Sequence, residues 1–150
     1  MKKLFTTMAA ALLFTLSGAT ALHAQGSPFT TTGAWTFFVK IDGAPPCQCI
    51  QIANLKADGS IDAPANDHFT GAGLGRWNQI GSGDVKFVIL QNAINEDGTA
   101  GGLYVIKGSM TLNAAGDGGS GKASFQILDN SGKAVVSGTA TFTGTKLKLD

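Results

Sequence analysis

The chain has 150 residues, of which 43% are hydrophobic and 14% charged, and its formal charge is +1. The few charges are scattered, which excludes the basic footprint of a nucleic-acid binder and the polybasic stretch that holds a protein on anionic lipid. The length fits one domain with a single core.

The first residues, MKKLFTTMAAALLFTLSGATALHAQG, have the layout of a secretory leader. Lys2 and Lys3 give a positive start, Leu4 to Leu16 an apolar run, and small residues follow. Cleavage is expected after Ala24, with Ala21 as the alternative site. The apolar run is too short, and too interrupted by Thr and Ser, to span a bilayer, and no second apolar segment approaches membrane length. The expected organisation is a signal peptide over 1–24 and one domain over 25–150, secreted or periplasmic and in an oxidising setting. Loss of Lys2 and Lys3 with the leader brings the formal charge from +1 to about −1.

After the leader the chain breaks into short runs of alternating polarity, separated by Gly, Asn and Asp. This pattern predicts an all-β protein. The first strand is expected over Ala34–Ile41 and the second over Cys47–Leu55, which ends at the turn signal Ala57-Asp58-Gly59. A short third run follows Ser60. Ala63–Gly73 reads as a loop, and Leu74–Ile80 as a short strand closed by Gly81-Ser82-Gly83. Asp84–Ile94 is a long strand, Asn95-Glu96-Asp97-Gly98 a hairpin turn, and Gly102–Leu112 the returning strand. Asn113–Gly121 reads as a glycine-rich turn, Lys122–Leu128 as a strand, Asp129–Gly132 as a turn and Ala134–Leu149 as the last strand.

In that last run Val136, Gly138, Ala140, Phe142 and Gly144 share one face, and hydroxyl side chains occupy the other. Lys146 and Lys148 share the parity of Phe142, which predicts a bulge or bend near Gly144. Eight short antiparallel strands protect their edges best by closing into a single roughly eight-stranded barrel, with a sandwich as the alternative.

Several short motifs occur in a telling order: Gly33-Ala34-Trp35; Pro45-Pro46 before a strand ending in Ala57-Asp58-Gly59; Gly73-Leu74-Gly75-Arg76-Trp77; Gly108 to Leu112 (GSMTL); and Gly138 to Thr145 (GTATFTGT). Together they resemble a family of small secreted bacterial proteins of unknown function with a lipocalin-like (calycin-type) β-barrel. The resemblance implies fold above all. In calycins the Gly-x-Trp tryptophan packs near the closed end of the barrel, and a basic residue of the last strand lies over its indole. By that analogy Trp35 and Lys146 form a structural pair, a contact of about 1 kcal/mol.

Cys47 and Cys49 are the only cysteines. On a strand their α-carbons stand roughly 6.6 Å apart, at about 3.3 Å per residue, near the upper limit for a disulfide. Three readings stay open: reduced thiols packed in the core, a disulfide, and a two-thiolate copper(I) site. The last lacks further ligands, since His68 is the only histidine after the leader. No metal and no cofactor are assigned. Asp62, Asp67 and His68 read as a solvated loop rather than an acid–base unit, and the only glutamate, Glu96, is explained by its turn.

Trp35, Phe37, Phe38, Phe69, Trp77, Phe87, Tyr104, Phe125 and Phe142 are spread along nearly every strand. This favours non-enzymatic binding of a small hydrophobic ligand inside the barrel. The expected lining is Phe37, Arg76, Trp77, Phe87, Tyr104 and Phe125, with Arg76 at the rim. No catalytic residue is assigned. A second reading is an enzyme of the allene-oxide-cyclase or dirigent kind, which the barrel also resembles; it requires a polar group in an apolar cavity. A third is a structural or surface-interaction protein with a filled barrel and an exposed apolar patch.

Overall fold

The computed structural model describes residues 31–45, 49–65 and 70–148. The expected leader, Cys47, Asp67, His68 and Phe69 lie outside the described residues. Among the described residues, alternating runs form eight strands. They are β1 (Gly33–Ile41), β2 (Cys49–Leu55), β3 (Ser60–Ala63), β4 (Thr70–Ile80), β5 (Asp84–Ile94), β6 (Ala100–Leu112), β7 (Gly118–Leu128) and β8 (Ala134–Lys146). Each pairs antiparallel with the next, and β1 pairs with β8, so the sheet is a closed all-β barrel rather than a sandwich. Closure removes the long unpaired edges that an open sheet would present.

Strand parity assigns the two faces. On β8, Gly138, Ala140, Phe142 and Gly144 point inward, opposite Phe125, Ala123, Gly121 and Gly119 of β7. The threonines between them point outward.

Three expectations are corrected. Thr70–Gly73 belongs to β4 and Ala63 closes β3, where a loop was expected. Gly118–Gly121 opens β7, where a turn was expected. Both stretches carry too few side chains to show alternation, but a ladder is made by backbone, and neighbouring strands supply the cover. The third correction concerns Gly144. The β1–β8 register runs without a shift through Phe37↔Gly144, Thr36↔Thr145 and Trp35↔Lys146, so β8 has no bulge there. Lys146 keeps the inward parity but stands level with Trp35, where the lumen has ended. The register shifts lie at the opposite rim, at Thr70/Gly73, Ala93/Ile94 and Ile127/Leu128, a usual place for bulges in barrels.

Four hairpins share one turn geometry. The amide N–H groups of Gly59, Gly98, Gly116 and Gly132 donate to the carbonyls of Lys56, Asn95, Asn113 and Asp129 at 2.9–3.0 Å. All four glycines have positive φ, a backbone conformation that side chains disfavour. In three of these turns an aspartate pins the loop. Asp58 accepts from the hydroxyl and amide of Ser60 (2.6 and 2.9 Å). Asp97 accepts likewise from Thr99 (2.6 and 3.0 Å). Asp129 accepts from Ser131 (2.6 and 2.9 Å) and from the Lys133 amide (3.0 Å).

The hydroxyl bonds first, and the amide bonds second, hold these three carboxyls below the ordinary aspartate value. A folded-state pKa that is depressed adds stability above the unfolded value, and that stability is lost as pH falls through the folded one. The melting temperature is therefore expected to be flat from pH 7 to about 5 and to fall below about pH 4, the ordinary aspartate range. In a triple Asp58→Asn, Asp97→Asn, Asp129→Asn variant the acid limb should be shallower. An unchanged limb, measured by thermal melts across pH, would remove these turns as its source.

The core occupies one end of the barrel. Trp35, Leu55, Ile61, Val85, Met110, Leu112 and Phe142 are buried together there. Trp35 is 0% exposed, and its indole N–H donates to the Thr31 carbonyl at 2.9 Å. The Thr31 hydroxyl donates in turn to Gln79 Oε1 at 2.7 Å. The chain before β1 thus stops this end of the barrel with matched polar groups.

Candidate functional site

Above that floor lies an internal cavity of about 660 Å³. Its walls come from β1 to β8, and its base is Leu55, Ile61, Val85, Met110 and Phe142. Phe37, Val39, Phe87, Ile89, Ile106 and Ala123 make the middle level, and Phe125 and Tyr104 stand nearer the open end. The volume lies within the ~300–1,000 Å³ typical of small-molecule sites.

An eight-stranded barrel is ordinarily just wide enough for its side chains to fill. The space here follows from a pairing rule visible in the registers. Four inward phenylalanines each face a glycine on the adjoining strand: Phe37↔Gly144, Phe87↔Gly108, Phe142↔Gly121 and Phe125↔Gly138. Each ring lies over its glycine, where a β-carbon would collide with ring atoms, at 2.5 Å for Gly108 and 2.6 Å for Gly138 and Gly144. The rings therefore lie along the wall instead of crossing the lumen, an arrangement that also covers otherwise bare strand backbone. Gly108, Ala123 and Ala140 form a row of small inward residues across β6, β7 and β8. Trp35, Phe37, Phe142 and Phe87 continue one another as ring contacts from floor to wall, at centroid distances of 6.1, 5.7 and 5.8 Å.

Polar groups enter the lining above the floor. Gln51, Thr70, Gln91 and Tyr104 border the cavity beyond the apolar base. Gln91 is 2% exposed, and its Nε2 has no hydrogen-bond partner among the described residues. Its signal is present in the sequence: Val85, Phe87, Ile89 and Gln91 share one face of β5, and an amide interrupts an otherwise apolar series. The aromatic inventory alone passes over it.

The six expected lining residues divide. Phe37, Phe87, Tyr104 and Phe125 do line the cavity. Arg76 and Trp77 do not. Arg76 points outward between Ser60 and Val88. Trp77, opposite Phe87 in the ladder, has the inward parity, but it packs against the core without lining the cavity, and its indole N–H donates to the Lys56 carbonyl at 2.9 Å. Both border an open hollow at the closed end whose lining includes Asp58, Lys86 and Lys107. That hollow is larger, at about 850 Å³, but it is shallow and charged, so the enclosed cavity is the candidate site.

Trp35 lies at the closed end with Lys146 directly opposite in the ladder. A β-carbon at Gly33 would stand 2.8 Å from Lys146 Cε, so the lysine stem runs across Gly33 beside the tryptophan. Cys49 is disulfide-bonded and borders the cavity. The chain's other cysteine, Cys47, lies outside the described residues. Asp62 sits on β3 and pairs with Lys56 at 2.7 Å, a surface contact.

The open cavity contradicts a filled barrel. Exposed apolar side chains do occur outside: Phe38 stands opposite Ile50 across β1 and β2, and Leu74 opposite Leu90 across β4 and β5. The β2–β3 ladder is short, with two residue pairs, Asn54↔Asp62 and Leu55↔Ile61.

The chain matches no family model, no curated protein and no solved structure. Of what the resemblance implies, the structure bears out the closed, antiparallel eight-stranded barrel.

Proposed function

We propose that this protein is a secreted or periplasmic carrier of one small hydrophobic molecule, held inside the barrel. The observation that carries the reading is the 660 Å³ cavity with its apolar base. Secretion is supported by the leader-like first 24 residues. Lys40, Lys86, Lys107 and Lys122 stand on the outward positions of β1, β5, β6 and β7, which favours a solvated exterior over the apolar band of a membrane barrel.

The cavity lining carries no carboxylate, imidazole or amine among the described residues. That favours binding over acid–base chemistry. Gln91 supports a second reading, a barrel that steers a reactive intermediate by shape and one dipole. The two differ in what is recovered after incubation with a ligand: unchanged ligand for a carrier, a converted product for an enzyme.

N-phenyl-1-naphthylamine, which brightens in apolar surroundings, is expected to bind with one site per chain. Ala123→Phe places a ring in the row of small residues and should weaken this binding at least about tenfold, or 1.4 kcal/mol. Its melting temperature should stay within a few degrees of wild type, because the ring enters open space. No binding by wild type, or equal binding by the variant, overturns the carrier reading.

A further inference from the structure

We infer that the outer wall of the barrel binds a linear acidic polysaccharide, one with a carboxylate on every second sugar, along an oblique band of cations. This goes beyond the carrier reading and does not depend on what the cavity holds.

The cations are scattered in the sequence, and register gathers them. On the outward face Lys86 of β5 stands opposite Ser109 of β6, and Ser109 opposite Lys122 of β7. Lys122 faces Thr141 of β8, and Thr141 faces Lys40 of β1. One row across five strands thus alternates cation and hydroxyl. Arg76, Val88, Lys107 and Ser124 form a second row beside it. All five cations are exposed. The two ion pairs among the described residues use Lys56 and Lys148 instead. Most of the described acids lie away from the band. Asp42, Asp58, Glu96, Asp97, Asp117 and Asp129 lie in the connections between strands, and Asp62 on β3 is paired with Lys56. Asp84, the first residue of β5, borders the band and accepts from the Thr111 hydroxyl at 2.8 Å. The attraction for a polyanion is therefore local to this wall, not a property of the net charge.

Spacing, chemistry and curvature select the partner. Successive lysines of the first row are two strands apart, about 10 Å at the backbone. Phosphates recur about every 3.4 Å along each strand of a nucleic-acid duplex, whereas carboxylates on alternate sugars are spaced much like the lysines. The hydroxyls between the lysines can donate to and accept from sugar hydroxyls. The outward positions of β5 to β8 carry no aromatic on which a base could stack. From β5 to β1 the row passes around half of the ring of strands. It rises from the closed end at Lys86 to the open end at Lys40. A planar lipid surface touches only part of such a band, and a flexible chain follows it.

Fluorescence anisotropy of a labelled hyaluronate oligosaccharide tests this. Two charge-matched triple variants are compared with wild type: Lys40→Gln, Lys86→Gln, Lys122→Gln in the band, and Lys56→Gln, Lys133→Gln, Lys148→Gln outside it. The band variant should bind at least about tenfold more weakly, and the control within about twofold of wild type. Raising salt from about 50 to about 200 mM should weaken wild-type binding at least about threefold. Both variants should melt close to wild type, because the changes are at exposed positions. No binding by wild type at low salt, or equal losses in the two triples, overturns the band as a site. Equal or tighter binding of neutral dextran, of a single-stranded oligonucleotide or of phosphatidylglycerol vesicles overturns the polysaccharide as its partner.

Discussion

Trp35→Ala is expected to lower the unfolding free energy by about 3–5 kcal/mol, as large-to-small changes at fully buried aromatic sites do. Trp35 is 0% exposed and stacks on Phe37 with an interplanar angle of 12°. Its indole N–H satisfies the Thr31 carbonyl, and Thr31 is itself buried and tied to Gln79. Removing the ring opens the floor beside the existing cavity and leaves those polar groups without their arrangement. Against a typical total of about 5–15 kcal/mol, the loss is a large fraction of the whole. Trp35→Phe keeps most of the apolar volume and loses the hydrogen bond, so its cost should be clearly smaller. Urea unfolding of the three proteins checks this. A loss below about 1.5 kcal/mol for Trp35→Ala would mean that the floor is supported elsewhere.

Gly121→Ala and Gly138→Ala should differ sharply, although each glycine faces a phenylalanine. A β-carbon at Gly121 would collide with the Ser109 carbonyl as well as the Phe142 ring. The carbonyl belongs to the β6–β7 ladder and has no room to yield, so the expected loss is about 2–3 kcal/mol. At Gly138 the atoms in the way belong only to the Phe125 ring, at 2.6, 2.8 and 3.5 Å. That ring stands near the mouth and turns into the lumen when pushed. Stability should change by less than about 1 kcal/mol, since alanine also lowers the entropy of the unfolded chain. Binding of the fluorescent probe should weaken instead, because the displaced ring takes up cavity space. Equal stability losses in the two variants would contradict the idea that backbone contact separates the sites.

Much of the barrel is legible in the letters. Parity on Ala134–Lys146 and the Asp-Gly and Asn-x-x-Gly turns place most strands, because side-chain alternation and turn geometry are local properties. Thr70–Gly73 and Gly118–Gly121 are not legible, since their strand character comes from partners far away in sequence. Gly121 makes sense only under Phe142 and the Ser109 carbonyl, and Gly73 only beside Gln91 and the Leu90 carbonyl. The end of the lumen is hidden for a similar reason. Lys146 has the parity of an interior residue, and only the ladder to Trp35 puts it beyond the floor. Of the cavity, the phenylalanines and Tyr104 were visible as aromatics, whereas Gln91 required the face of β5 to be read as a series. Arg76 is misplaced because adjacency to a glycine-rich stretch says nothing about which side of the wall faces the lumen, and Trp77, on the inward side opposite Phe87, because parity does not say where the cavity ends.

The pairing of β1 with β8 has a consequence for how the chain comes to be folded. Neighbouring hairpins can form as soon as both of their strands exist, but the ring needs its first and last strands together. Until the thirteen residues of β8 emerge, the sheet is an open ribbon with two bare edges. Slow, non-local closure of this kind is the step most exposed to edge-to-edge association. A chain that ends early, inside β8, would keep that ribbon permanently, so premature termination near the C-terminus should yield aggregates rather than a slightly smaller barrel.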